Sequence, residues 1–208
     1  MPSPFDQSAY QVRLDWGVDG LVRLAPADIV VVVDVLRFSS TVTAALDRGQ
    51  TTALDAAAHA VSINGAAVAE AAAESPLVLL GCLRNASAVA AAVLAVQQQR
   101  GTRTSVSVIA GGERDAAGAL RFAVEDHLGA GAVIAALGDL GIDHGSPDAA
   151  VAGEGFRALR GAVKHLLSAS GSGRELAERG LAADVAAAAA LDASTAVPVL
   201  RDGVFVAF

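Results

Sequence analysis

The 208-residue chain is short of cysteine, of lysine and of long apolar runs. Cys82 stands alone, which excludes an internal disulfide framework and any thiolate metal cluster. Lys164 is the single lysine against fourteen arginines, a skew that fits genomic base composition and needs no mechanism. The longest apolar candidate, ASAVAAAVLAV at 86–96, is too short to span a bilayer and contains a serine. The opening MPSPFDQSAYQVRLDWG lacks the apolar centre of a signal peptide, so cytoplasm is the expected location and no membrane partner is expected. A net charge of −7, with no basic stripe interleaved with aromatics, argues against nucleic acid as a partner.

Several phosphate-handling signatures are missing as well. No Gly-x-x-x-x-Gly-Lys-Ser/Thr segment exists, which removes the nucleotide P-loop. An aspartyl-phosphate phosphatase would place a second aspartate two residues after Asp34, where Leu36 stands. A cysteine phosphatase would place arginine six residues after Cys82, where Ala88 stands. GSGREL at 171–176 lacks a third glycine and follows no strand, so it makes a weak dinucleotide fingerprint. His59, His127, His144 and His165 form no spaced metal cluster and receive no role.

What is present is an alternation of short β-branched runs with longer Ala-rich stretches. The composition is 53% hydrophobic and 18% charged, enough apolar material for one folded domain over 1–208. DIVVVVDVL (28–36), PLVLLGCL (76–83) and SVSVIAGG (105–112) read as buried strands. Helical stretches follow each of them, at 39–49, 85–101 and 120–131. Residues 146–170 read as one helix weakened by glycines, and 172–192 as two short helices separated at Gly180. AVPVLRDGVFVAF (196–208) closes the chain as strand, turn and strand. Continuous apolar strands interleaved with helices predict an α/β domain with a mostly parallel sheet covered by helices on both faces. The apolar VFVAF suits an inner strand or a subunit contact, so a homodimer is one expectation.

Open α/β sheets bind ligands at the carboxyl ends of their strands, where the following helices present free N–H groups. The first strand ends in Asp34, Arg37, Ser39, Ser40 and Thr41, the second in Arg84, Asn85 and Ser87, the third in Glu113 and Arg114. Arginine forks there suit phosphate, sulfonate or carboxylate oxygens. Carboxylates there suit a hard cation such as Mg²⁺, which takes one or two of them together with substrate oxygens. A plainer reading has the hydroxyls capping a helix, the arginines solvated and Cys82 filling the core. Asp34 resists it, because a carboxylate directly after four valines falls where burial is expected. Glu125-Asp126 is either a solvated helical pair or a ligand set.

VVVDVLRFSSTVTAAL, LLGCLRNASAVA, VSVIAGGER, LRFAVEDHLGAGAVIAAL and SGRELAERGLAADVAAAAALDASTAVPVL resemble the 2-phosphosulfolactate phosphatase family, in the family's order from about residue 28 to the end. The resemblance implies an α/β fold and a Mg²⁺-dependent phosphatase that hydrolyses (R)-2-phospho-3-sulfolactate to sulfolactate and phosphate. By position it implies that Asp34 and Arg37 belong to the family's first motif. Asn64 and Gly65 fall on its Asn-Gly segment, Asn85 on its asparagine before an Ala-Val helix, and Glu125 and Asp126 on its acidic pair. Asp34 would then hold Mg²⁺, with Glu113, Glu125 and Asp126 as further candidate ligands. Arg37, Asn64 and Asn85 would join it in catalysis. Ser39, Ser40, Thr41, Gly65, Arg84 and Arg114 would receive a small phosphorylated acid.

The chain departs from the family pattern between about residues 50 and 64, where TTALDAAAHAVSI (51–63) replaces a longer stretch with Gly-Glu-Arg-like and Asn-Ser-Pro-like motifs. GGER at 111–114 follows a different strand and does not stand in for the first of them. A working phosphatase, a non-catalytic or repurposed relative that binds a small anion, and a plain scaffold are therefore the three expectations.

Overall fold

The computed structural model describes residues 3–62, 64–115 and 117–208. Ile63 of the SINGA segment and the first two residues lie outside them. In chain order, β1 (Val12–Trp16) leads through α1 (Gly17–Arg23) to β2 (Ile29–Val33) and α2 (Phe38–Asp47). Next come β3 (Thr52–Ala53), α3 (Ala56–Val61), α4 (Gly65–Ala71), β4 (Val78–Gly81) and α5 (Ala86–Arg100). β5 (Val106–Ala110) is followed by a small hairpin, β6 (Glu113–Arg114) and β7 (Leu120–Arg121), and by α6 (Val124–Asp139). The remainder is α7 (Pro147–Leu159), a 3-10 turn (Arg160–Ala162), α8 (Val163–Ala169), α9 (Gly171–Glu178), α10 (Ala182–Ala188), β8 (Pro198–Arg201) and β9 (Val204–Ala207).

The main sheet has the order β1-β5-β2-β4-β8-β9-β3. Its first four strands are parallel and its last three join antiparallel, so the sheet is mixed with a parallel half. Side chains of a strand alternate between faces. In β2, Ile29, Val31 and Val33 enter one core with α5 and α6, while Val30 and Val32 enter the other with α2 and α4. Helices on both faces explain why all of β2 is apolar.

Several boundaries differ from the sequence reading, each for a local reason. No element was expected over Val12–Arg23, where Arg13 and Asp15 interrupt the apolar pattern, yet β1 pairs with β5 over its whole length. The helix expected from 120 begins at Val124, because Leu120 and Arg121 pair with Arg114 and Glu113 instead. The single helix expected over 146–170 breaks at the 3-10 turn around Gly161, the residue least favourable to helix there. Ser146 caps its start by accepting from Ala149 N, with Pro147 in the first turn. The division near Gly180 and the closing strand-turn-strand stand as expected. VFVAF is an inner strand: β9 lies between β8 and β3, and Phe205 packs edge-on against Phe38 with ring centroids 5.7 Å apart. No helix among the described residues is long and apolar enough to cross a membrane.

Candidate active site

β2 and β5 are parallel neighbours, so the chain leaves both at the same edge, through Asp34–Arg37 and through Gly111-Gly112. From there α2 turns to one face with Phe38 and Val42, and α6 to the other with Leu128 and Val133. Divergence of connections from adjacent strands opens the crevice in which such sheets bind ligands.

Asp34 sits in that fork and is 4% exposed. Its Oδ1 accepts from Phe38 N at 3.2 Å, and its Oδ2 from Gly65 N at 3.1 Å and from the Ser62 hydroxyl. Gly65 is required by the close approach: a Cβ there would lie 2.5 Å from Asp34 Oδ2 and 2.6 Å from Asp34 Cβ. Asp126, in the first turn of α6, accepts from Val35 N at 2.7 Å and from Gly112 N at 2.8 Å. These two backbone bonds tie the loops after β2 and β5 to one carboxylate. Glu125 beside it is 3% exposed, and its carboxylate has no hydrogen-bond partner among the described residues.

Burial and neighbouring charge raise the proton affinity of two of these carboxylates, Asp34 and Asp126. Burial raises the Asp34 carboxyl above its ordinary range, and the Glu125 charge adds to this against the hydrogen bonds from Ser62, Phe38 and Gly65. Burial pushes Asp126 well above the ordinary aspartate range, reinforced by the Asp34 and Glu125 charges.

Asn64 borders the carboxylates. Its Nδ2 donates to Gly112 O at 2.9 Å and lies 3.5 Å from Glu113 Oε1. The Gly112 carbonyl fixes the amide orientation, since a flipped amide would set two acceptors against each other. Asn64 Oδ1 is consequently a buried acceptor without a partner among the described residues. Glu113 is half-buried and also accepts from Arg114 N at 2.9 Å and from Ser172 Oγ at 3.4 Å.

The fit of a hard cation can be judged from these oxygens. Among the described residues no three His, Cys, Asp or Glu side chains form a metal-ligating group, so the four carboxylates named from the sequence do not close into one shell. What remains is a smaller set: the unpartnered Glu125 carboxylate and Asn64 carbonyl, beside two carboxylates whose charges repel. Mg²⁺ takes one or two carboxylates and completes its octahedron with water and substrate oxygens, which this set satisfies.

The other residues named from the sequence fall elsewhere. Arg37, Ser40, Thr41 and Arg84 line a separate cleft on the β4 side of β2, together with Arg48 and Asp184. The Leu36–Arg37 peptide bond is cis, and Arg37 pairs with Asp184 at 2.5 Å. Ser39 is wholly buried, accepting from Asp34 N and donating to Val32 O. Asn85 is wholly buried too: its Oδ1 accepts from Cys82 N at 2.9 Å, and its Nδ2 donates to Leu80 O at 3.2 Å and Ala196 O at 3.0 Å. Its amide is spent on joining β4, α5 and the approach to β8. Arg114 is exposed on the small hairpin and donates to Gly118 O at 2.8 Å. A cavity of about 500 Å³ beside Phe5, Tyr10 and Trp16 holds none of these residues.

Sequence reading missed Ser62, the amides of Val35 and Gly112, and the pair Arg48 and Asp184. Ser62 carried a signal, a hydroxyl two residues before Asn64-Gly65; a backbone amide carries none. Ser62→Ala is expected to cost about 1–2 kcal/mol, because both Asp34 Oδ2 and Gly65 N lose a partner. Urea unfolding measures it, and an unchanged midpoint would remove Ser62 from the network.

Comparison with curated proteins finds no match. The family model described as 2-phosphosulpholactate phosphatase matches residues 55–203. That span takes in Asn64, Gly65, Arg84, Asn85, Glu113, Arg114, Glu125 and Asp126, while Asp34, Arg37 and the hydroxyls of α2 precede it. With nearly three quarters of its length matched, the chain belongs to the 2-phosphosulpholactate phosphatase family.

Proposed function

We propose that the chain is a Mg²⁺-dependent phosphomonoesterase acting on a small phosphorylated hydroxy acid, by family (R)-2-phospho-3-sulfolactate. One observation carries the reading: Asn64 Oδ1 is a buried acceptor without a partner among the described residues, set beside the carboxylates of Asp34, Glu125 and Asp126. A buried oxygen without a donor is costly, and a divalent cation held there would satisfy it. Phosphoryl transfer asks little covalent chemistry of a protein; it asks for position and charge neutralisation. Mg²⁺, when bound, would supply positive charge to the phosphoryl oxygens.

The chain's own part follows from its contacts. Glu125 and Asn64 Oδ1 offer the free oxygens. Asp126 holds the loops after β2 and β5 together, and Ser62 and the Gly65 amide orient Asp34. Burial of Asp34 and Asp126 keeps bulk water from screening them.

The short segment between α2 and α4, which holds only β3 and α3, favours a second reading as a non-catalytic or repurposed relative that binds a small anion. Phosphate release from a panel of phosphorylated hydroxy acids, 2-phosphosulfolactate included, separates the two. Turnover abolished by EDTA and restored by Mg²⁺ is the expected result. A folded protein that turns over nothing on the panel points to the binder.

A further inference from the structure

The cleft on the β4 side of β2 has a volume of about 310 Å³ and is lined by Arg37, Arg48, Arg84, Ser40, Thr41 and Asp184. We propose that it is a binding site for an oxyanion, of the carboxylate, sulfonate or phosphate class, with the fork of Arg48 as its principal donor.

Docking of α10 accounts for part of this cleft. Arg37 pairs with Asp184 at 2.5 Å, and Arg84 donates to Ala187 O at 3.0 Å and to Asp47 Oδ2 at 3.3 Å. A cation on the last carbonyls of a helix is favourable in itself. One feature is left over. Among the described residues Arg48 reaches only Gln50 Oε1, at 3.4 Å from its Nε, and its two terminal nitrogens have no partner.

Charge points the same way. Three arginines line the cleft, Arg37 paired with Asp184 and Arg84 with Asp47, which leaves the Arg48 charge without a carboxylate among the described residues, in a chain whose net charge is −7. Converging cations repel unless an anion joins them, and the planar fork of arginine matches two oxygens at once. Thr41 is exposed and adds a hydroxyl donor at the wall. The volume lies at the small end of ligand pockets, which run from about 300 to 1,000 Å³. Such a volume suits a small acid and is too tight for a nucleotide. Asp184 occupies Arg37 in the meantime as an internal anion, which an arriving oxyanion would have to share.

The oxyanion is either a free inorganic ion or the second acid group of an ester whose phosphate lies at the carboxylates across β2. Calorimetric titration of the full chain with sodium sulfate, at ionic strength held constant with sodium chloride, tests the site itself. Saturable binding is expected in the native protein and in Glu125→Gln. It should weaken at least about tenfold, or 1.4 kcal/mol, in Arg48→Gln. Arg48 suits the test because its side chain makes no hydrogen bond or ion pair with α10 among the described residues. Sulfate binding that is absent, or equal in the native protein and Arg48→Gln, overturns the proposal whether or not the protein is a phosphatase. Hydrolysis then tells the two sources apart. A KM raised by Arg48→Gln for phosphoglycolate and not for ethyl phosphate assigns the anion to the substrate. Unchanged KM values for both, with sulfate binding lost, assign it to a free ion.

Discussion

Glu125→Gln is expected to lower kcat/KM for Mg²⁺-dependent phosphate release at least about tenfold, which is 1.4 kcal/mol of transition-state stabilisation, while leaving the fold intact. The choice of residue matters. Asp34→Asn would turn an amide N–H₂ against the N–H of Gly65 or Phe38 and the hydroxyl of Ser62, so lost activity could reflect a lost fold. Asp126→Asn would loosen both loops at once. Glu125 has no such partners among the described residues, and neutralising it relieves Asp34 and Asp126 of a neighbouring charge. Thermal unfolding in EDTA should therefore show Glu125→Gln at least as stable as the native protein. Native-like activity in this variant would sink the assignment of the carboxylates as the catalytic centre.

Stability of the cation-free protein should fall as pH rises, and Mg²⁺ should restore it most at the alkaline end. Asp34 and Asp126 titrate above the ordinary aspartate range when folded. From about pH 4, where an unfolded aspartate loses its proton, the folded state therefore holds protons that the unfolded state has released. Stability then declines as pH climbs through the raised folded values, and the loss is complete above them. A cation binds the deprotonated form, so its stabilising effect grows in the same direction. At a Mg²⁺ concentration a hundred times its Kd the expected gain is about 2.7 kcal/mol. At roughly 2–4 °C per kcal/mol for a chain of this size, that is about 5–11 °C in Tm near pH 8, and much less near pH 5. Calorimetric scans with Mg²⁺ and with EDTA at both pH values measure it. Equal Tm values near pH 8 would show that no divalent cation binds the carboxylates.

Much of the parallel half was legible because burial on both faces writes itself as an unbroken apolar run: Val30 to Val33 could hardly be anything but an inner strand. Asp34 was legible for the complementary reason, as a carboxylate where burial begins. β1 was not, because Arg13 and Asp15 sit within it; Arg13 is buried through its bonds to the carbonyls of Tyr10 and Ala25, a cost visible only in three dimensions. Strand ends identified the edge at which polar residues gather, though not their grouping. Asp34 and Arg37 are three residues apart, yet one turns toward β5 and the carboxylates and the other toward α10. Asn85 reads identically as a ligand or as a plug. Only the carbonyls of Leu80 and Ala196, far apart in the chain, reveal the plug.

The order of the strands has a consequence for solubility. A sheet that ends in a long bare strand invites other chains to add to it. Here one margin is β3, only Thr52 and Ala53, too short to template a partner. The opposite margin is β1, whose first residue is already bridged by Gly145 and whose middle carries Arg13 and Asp15. With the apolar strand β9 kept inside, both borders of the sheet are blunted, and strand addition is a poor route to aggregation for this chain.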